Sequence, residues 1–163
     1  MYLILSMLRN KDYKSGRYLE DFELGQIFRH GAQKTITKAE HKQFCELTLN
    51  FHPLHWDEDH AKLSEFGQIV VVGTYVASIV VGISVPDISA KAIANLDYEK
   101  IVHHLPVFIG DTLHAETEIL EVRESKSKPD RGIIFVETRS YNQNNEKVLS
   151  LRRHVLIPKK VTK

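Results

Sequence analysis

Alternation of apolar and polar residues dominates the second half of the chain. In "LHAETEI", Leu113, Ala115, Thr117 and Ile119 fall on one side and His114, Glu116 and Glu118 on the other, as in a strand with one covered face. Leu120 and Val122 then take over the apolar side, a one-residue shift that predicts a β-bulge. "LSLRRHVLI" sets Leu149, Leu151, Val155 and Ile157 on one side, and the polar "NQNNE" ahead of it predicts a hairpin turn.

The first half reads differently. Residues 17–30 predict a leading strand. "TKAEHKQFCELT" carries Thr37 and Glu40 in the T-x-x-E spacing of a capping box, so a helix is expected from Thr37 to about Thr48, followed by a loop before Pro53. Asp57 is placed to cap a short second helix through "DEDHAKLSEF", with Gly67 ending it. Residues 69–85 are the most apolar stretch. Their Val and Ile favour strand, but Gly73, Ala77, Ser78 and Gly82 recur with helical spacing and the segment outruns an ordinary strand. A buried helix opening at Gly73 is expected, with Gly82 easing its contact with the sheet and Ser78 bonded within its own helix.

One long apolar helix and several long antiparallel strands predict an α+β domain, a curved sheet wrapped around the central helix. Such a sheet leaves an edge that a second copy commonly covers, so a homodimer is expected. The 163 residues hold no repeat or linker, which predicts one domain over 17–163 behind an N-terminal arm over 1–16. A net charge of +1 is too small to drive binding to a nucleic-acid backbone. Cys45, the single cysteine, has no partner for an internal disulfide and reads as a buried, inert thiol. No apolar run reaches membrane-spanning length, so a cytosolic protein without a membrane partner is expected.

The candidate chemistry is concentrated in "LNFHPLHWDEDHA", residues 49–61, which hold three histidines. His52, His55, Asp57, Asp59 and His60 include metal-ligand residue types, but H-x-x-H across a proline is not the spacing that places two histidines on one helical face. Asp57, Asp59 and His60 are better accounted for as the cap and exposed side of the short helix, and no metal is expected.

Asn50-Phe51-His52-Pro53-Leu54-His55, together with "FGQIVVVGTYVASIVVG" and "LPVFIGDTLHAETEILEVRES", resembles the MaoC-like, R-specific enoyl-CoA hydratases, whose signature is G-D-x-N-P-L-H. The likeness covers roughly residues 17–158. It implies a hotdog fold, an acyl-CoA partner and reversible hydration of a trans-2-enoyl-CoA to an R-3-hydroxyacyl-CoA, with no cofactor beyond the CoA of the substrate. It places the catalytic histidine at His55 and the thioester-binding backbone N–H at Gly73, beside Thr74, as substrate-binding positions. The family's aspartate is Asn50 here, and its asparagine is His52. Asn50 cannot ionise but can position water, whereas His52 is either a second titratable group at the substrate or an exposed loop residue.

"SKSKPDRG" and "YNQNNEKV" resemble a branch acting on branched or dicarboxylic enoyl-CoAs, of the mesaconyl-CoA or itaconyl-CoA type. Lys126, Lys128 and Arg131 would suit CoA phosphates or a substrate carboxylate, or belong to a solvated hairpin. Two rival readings remain. One is a hotdog thioesterase, and the other is a non-catalytic acyl-CoA-binding or regulatory dimer, for which Asn50 in place of the carboxylate argues.

Overall fold

A computed structural model describes residues 16–160, so the N-terminal arm expected over 1–16 lies, apart from Gly16, outside the described residues. Six strands and four helices follow one another in the order β1 (Ile27–Arg29), β2 (Lys34–Thr35), α1 (Lys38–Thr48), α2 (Pro53–Trp56), α3 (Glu58–Leu63), α4 (Gly73–Ser84), β3 (Ala94–His103), β4 (Thr112–Glu124), β5 (Arg131–Tyr141) and β6 (Lys147–Pro158). All pairings are antiparallel, in the order β1-β4-β5-β6-β3, with β2 also on β4.

Helix α4 carries the apolar core. Val76, Ala77, Val80 and Ile83 are buried against Leu113 and Ala115 of β4 and Val148, Leu149 and Leu151 of β6. A second cluster joins Leu19, Phe22, Phe28 and Ile88 to Ile119, Ile134, Val136, Val155 and Ile157. The alternation read in β4 holds, and the bulge falls where it was expected, between Ile119 and Glu121. On β6 the inward slot between Leu151 and Val155 belongs to Arg153, only 2% exposed.

Several local expectations need correction. The leading strand over 17–30 is a 3-10 turn at Leu19–Asp21 and only three strand residues, Ile27–Arg29. The turn lets Leu19 and Phe22 fold inward onto the sheet. The short helix capped by Asp57 stops at Leu63, and Gly67 takes a positive φ in the following turn. A Cβ at Gly82 would meet open space, so that glycine is no contact point with the sheet. Ser78 does stay within its helix, donating to the Thr74 carbonyl at 2.8 Å.

Strand β3 had no sequence signal because nearly all of it is exposed at the sheet edge, and two register shifts against β6 break any alternation. Among the described residues no helix is long and apolar enough to cross a membrane.

Candidate active site

The histidine-rich stretch is built by three caps in succession. Thr37 caps α1 as its sequence predicts, with its hydroxyl accepting from the Glu40 N–H and donating to the Glu40 carboxylate. The helix ends at Leu49, whose φ of 58° is a left-handed conformation that favours glycine. His52 caps the single turn α2, its Nδ1 accepting from the Leu54 N–H at 3.3 Å, and Pro53 fills the first helical position. Asp57 caps α3 by accepting from the Asp59 and His60 N–H groups. The Asp57 carboxyl lies below the usual carboxylate range because these two backbone groups bond its charged form.

His55, in α2, is half-buried, and its Nδ1 lies 2.7 Å from the Val70 carbonyl oxygen. A carbonyl only accepts, so Nδ1 carries the proton and Nε2 keeps its lone pair. Nε2 has no partner among the described residues. The His52 ring lies 5.6 Å from the His55 ring, so the two do share a neighbourhood across the proline. Asn50 is half-buried, and its Oδ1 accepts from the His52 N–H at 3.4 Å, an Asx turn within the loop. It lines neither of the two cavities that His55 lines.

The larger of these cavities, about 360 Å³, is bounded by His55, Phe66, Val70, Val71, Gly73, Val76 and residues 103–107. Helix α4 opens on it. Tyr75 and Val76 donate back to the Val72 carbonyl, whereas the N–H groups of Gly73 and Thr74 find no acceptor among the described residues. They are the free donors that every helix start presents, aided by the helix dipole. Gly73 is required here by close approach, because a Cβ would sit 2.7 Å from His103 Cε1 and 2.9 Å from its Nε2.

The smaller cavity, about 220 Å³, is also bordered by His55. Lys38, Lys42, Lys62 and Trp56 line it, with Lys38 paired to Glu58 and the Lys42 ammonium 5.1 Å from the Trp56 ring centre.

Two residues of this site escaped the sequence reading. His41 is 1% exposed, and its Nε2 accepts from the Val72 N–H at 3.1 Å, fixing the residue that precedes the free donors. Burial, and secondarily the neighbouring His55, hold its pKa below the ordinary imidazole value. Its signal was the i, i+4 spacing with Cys45 on the buried side of α1. Cys45 is fully buried, and burial pushes its thiol pKa up, consistent with an inert thiol. His103 ends β3, where no pattern announced a strand.

Lys126, Lys128 and Arg131 are far from this cavity. Arg131 opposes Pro158 while His103 opposes Leu149, and the β6 segment between these partners spans about 30 Å. Arg131 is bonded twice to the adjacent Asp130.

The sequence matches the mesaconyl-CoA hydratase family over residues 4–163. The chain belongs to that family. It is 34% identical over 148 residues to the mesaconyl-CoA hydratase of Cereibacter sphaeroides, covering 91% of this chain and 43% of that protein. The chain thus spans less than half the length of the mesaconyl-CoA hydratases it matches. It is 30% identical over 139 residues to the (R)-specific enoyl-CoA hydratase of Aeromonas caviae, covering 85% of this chain and 98% of that one. A solved Mycobacterium tuberculosis protein with a double hotdog fold superposes with a TM-score of 0.83 at 22% identity, over 91% of this chain and 46% of that one. The sheet wrapped around α4 is therefore a hotdog fold, as the sequence resemblance implied.

Proposed function

We propose that the chain reversibly hydrates a trans-2-enoyl-CoA to an R-3-hydroxyacyl-CoA, on a branched or dicarboxylic acyl group, as a cytosolic homodimer. The observation that carries this reading is the His55 ring, whose protonated Nδ1 is held by the Val70 carbonyl while Nε2 stays free beside a cavity that the start of α4 also opens on.

The thioester oxygen accepts from the Gly73 and Thr74 N–H groups. His55 Nε2 takes a proton from water, and the water oxygen bonds to C3 of the enoyl group as its π electrons move toward the thioester oxygen. The backbone donors stabilise the enolate, and the imidazolium then returns the proton to C2. Asn50 and His52 act through the loop instead: Asn50 Oδ1 accepts from the His52 N–H, and the His52 ring caps the turn that carries His55. No group beyond the CoA of the substrate is called for.

Family membership supports the CoA-thioester chemistry. The homodimer is supported by β3, an edge strand with Leu96, Tyr98 and Ile101 all more than 40% exposed.

The test is a panel of crotonyl-CoA, mesaconyl-CoA and itaconyl-CoA, followed by loss of the conjugated double bond. Turnover is expected from the wild-type protein and a drop of about 1,000-fold or more in kcat for His55→Ala, since removing a general base costs ~10²–10⁴-fold. Absence of wild-type turnover on every member would sink the reading.

A further inference from the structure

The larger cavity holds one side chain that the hydration chemistry leaves unused. The His103 ring lies against the Cα of Gly73, at the place where a side chain on residue 73 would be. It lines the same cavity as His55 and has no hydrogen-bond partner among the described residues. The other two imidazoles of this cavity each have one nitrogen committed: His55 Nδ1 to the Val70 carbonyl, and His104 Nε2 to the Ser150 hydroxyl at 2.9 Å. Only His103 has both ring nitrogens to offer.

The remaining wall is Phe66, Val70, Val71, Val76, Leu105, Pro106 and Val107, with no carboxylate, lysine or arginine. A purely hydrocarbon acyl group filling this space would strip water from the His103 nitrogens and give nothing back, a penalty paid at every binding event. An acyl group ending in a carboxylate instead replaces that water with a charge-assisted hydrogen bond. The helix start reinforces the preference, because the positive end of the α4 dipole faces the same space and favours an anion there. The thioester oxygen already has the Gly73 and Thr74 donors, which leaves His103 for a second polar group of the substrate.

We propose that His103 binds the free carboxylate of a dicarboxylic enoyl-CoA and thereby sets the acyl preference of this site; the assignment rests on the hydratase reading above. Mesaconyl-CoA, named in the family, is a compound of this class, and a monocarboxylic enoyl-CoA lacks the anion.

The experiment compares mesaconyl-CoA with the analogue in which a methyl group replaces its free carboxylate, for the wild-type protein, His103→Leu and His103→Gln. Both kcat/KM and the equilibrium Kd are measured for each compound, with thermal melting as the check on folding. The wild-type protein is expected to prefer mesaconyl-CoA. His103→Leu should lose at least about 10-fold on mesaconyl-CoA, mainly in KM, while the methyl analogue changes by less than about 3-fold. His103→Gln keeps a neutral donor and should fall between.

Equal losses on both compounds, or an unchanged preference in a folded His103→Leu protein, overturn the assignment. If the wild-type protein hydrates neither compound, the hydratase reading fails and binding alone decides. A wild-type preference for mesaconyl-CoA that His103→Leu abolishes upholds the carboxylate contact, and equal affinities reject it.

Discussion

The two ends of α4 are built on opposite principles. At its C-terminal end the helix continues through a π turn at Val85–Ser89, and the polar groups there bond to one another. Asp87 accepts from Arg17 at 3.1 Å and from His30 Nδ1 at 2.8 Å, and His30 Nε2 meets Thr117, which meets Thr138. Burial raises the Asp87 pKa, but the hydrogen bonds from His30 and Arg17 outweigh it and the net direction is down. At the N-terminal end the polar groups are left open instead: two backbone N–H groups, His55 Nε2 and both nitrogens of His103 have no partner among the described residues. These groups are half-buried or exposed, so water reaches them and they stay available to a ligand.

Arg153 is the hardest test of the closed end. It is buried without a carboxylate, donating to Ser84, Ser89 and Asn95, and burial lowers its pKa. Its Nε is the one buried side-chain nitrogen or oxygen without a partner among the described residues. Arg153→Ala removes a large side chain from the core and strands three acceptors, and should cost about 2–4 kcal/mol of stability, read as a lower urea midpoint. Activity per folded molecule should change less than about twofold, because Arg153 lies at the far end of a helix ~18 Å long. Arg153→Met should cost less, since it removes the same desolvated charge but refills much of the volume. A large loss of activity in folded Arg153→Met would break the separation of the two ends.

His41 sits between the two principles, a buried group that is satisfied in order to hold open groups in place. His41→Phe leaves the Val72 N–H without an acceptor and should cost about 1–3 kcal/mol, with hydration slowed by roughly 10-fold as the donors lose their footing. The pH dependence has a definite sign. Burial and His55 depress the folded pKa of His41 below 6.5, so the unfolded chain binds the proton more readily. The stability that His41 confers is present above about 6.5 and is lost as pH falls through the lowered folded-state value. The groups facing it are His55, Tyr75 and Cys45. The urea midpoint of the wild-type protein should fall over this window more steeply than that of His41→Phe. Parallel curves would remove His41 from the account.

What could be read from the sequence follows the same division. Helix α4, its start at Gly73, the Thr37 cap and the β4 bulge were legible because burial and capping leave periodic or local marks. His55 was legible through its family spacing, not its surroundings. Strand β3 and His103 were not, because an exposed edge strand needs no alternation and an unpartnered histidine has no local signature. Arg153 was marked by position but not by type: in "LRRHV" the alternation that turns Leu151 and Val155 inward turns Arg153 inward too, although a charged residue is not expected there.

The smallest effect is expected at Leu49, where the open end begins. Its left-handed conformation costs a leucine about 1 kcal/mol, partly offset because glycine loses more chain entropy on folding. Leu49→Gly should therefore stabilise the protein by only about 0.5 kcal/mol, or about 1–2 °C in Tm. The side chain is mostly exposed, so no packing is lost with it. Hydration should be unchanged if the Asx turn at Asn50 and the His52 and Asp57 caps hold the catalytic loop by themselves. A more stable but slower Leu49→Gly protein would show otherwise: the loop would then owe its geometry partly to the stiffness of a strained leucine, and the open end of α4 would rest on stored strain as well as on unpaired groups.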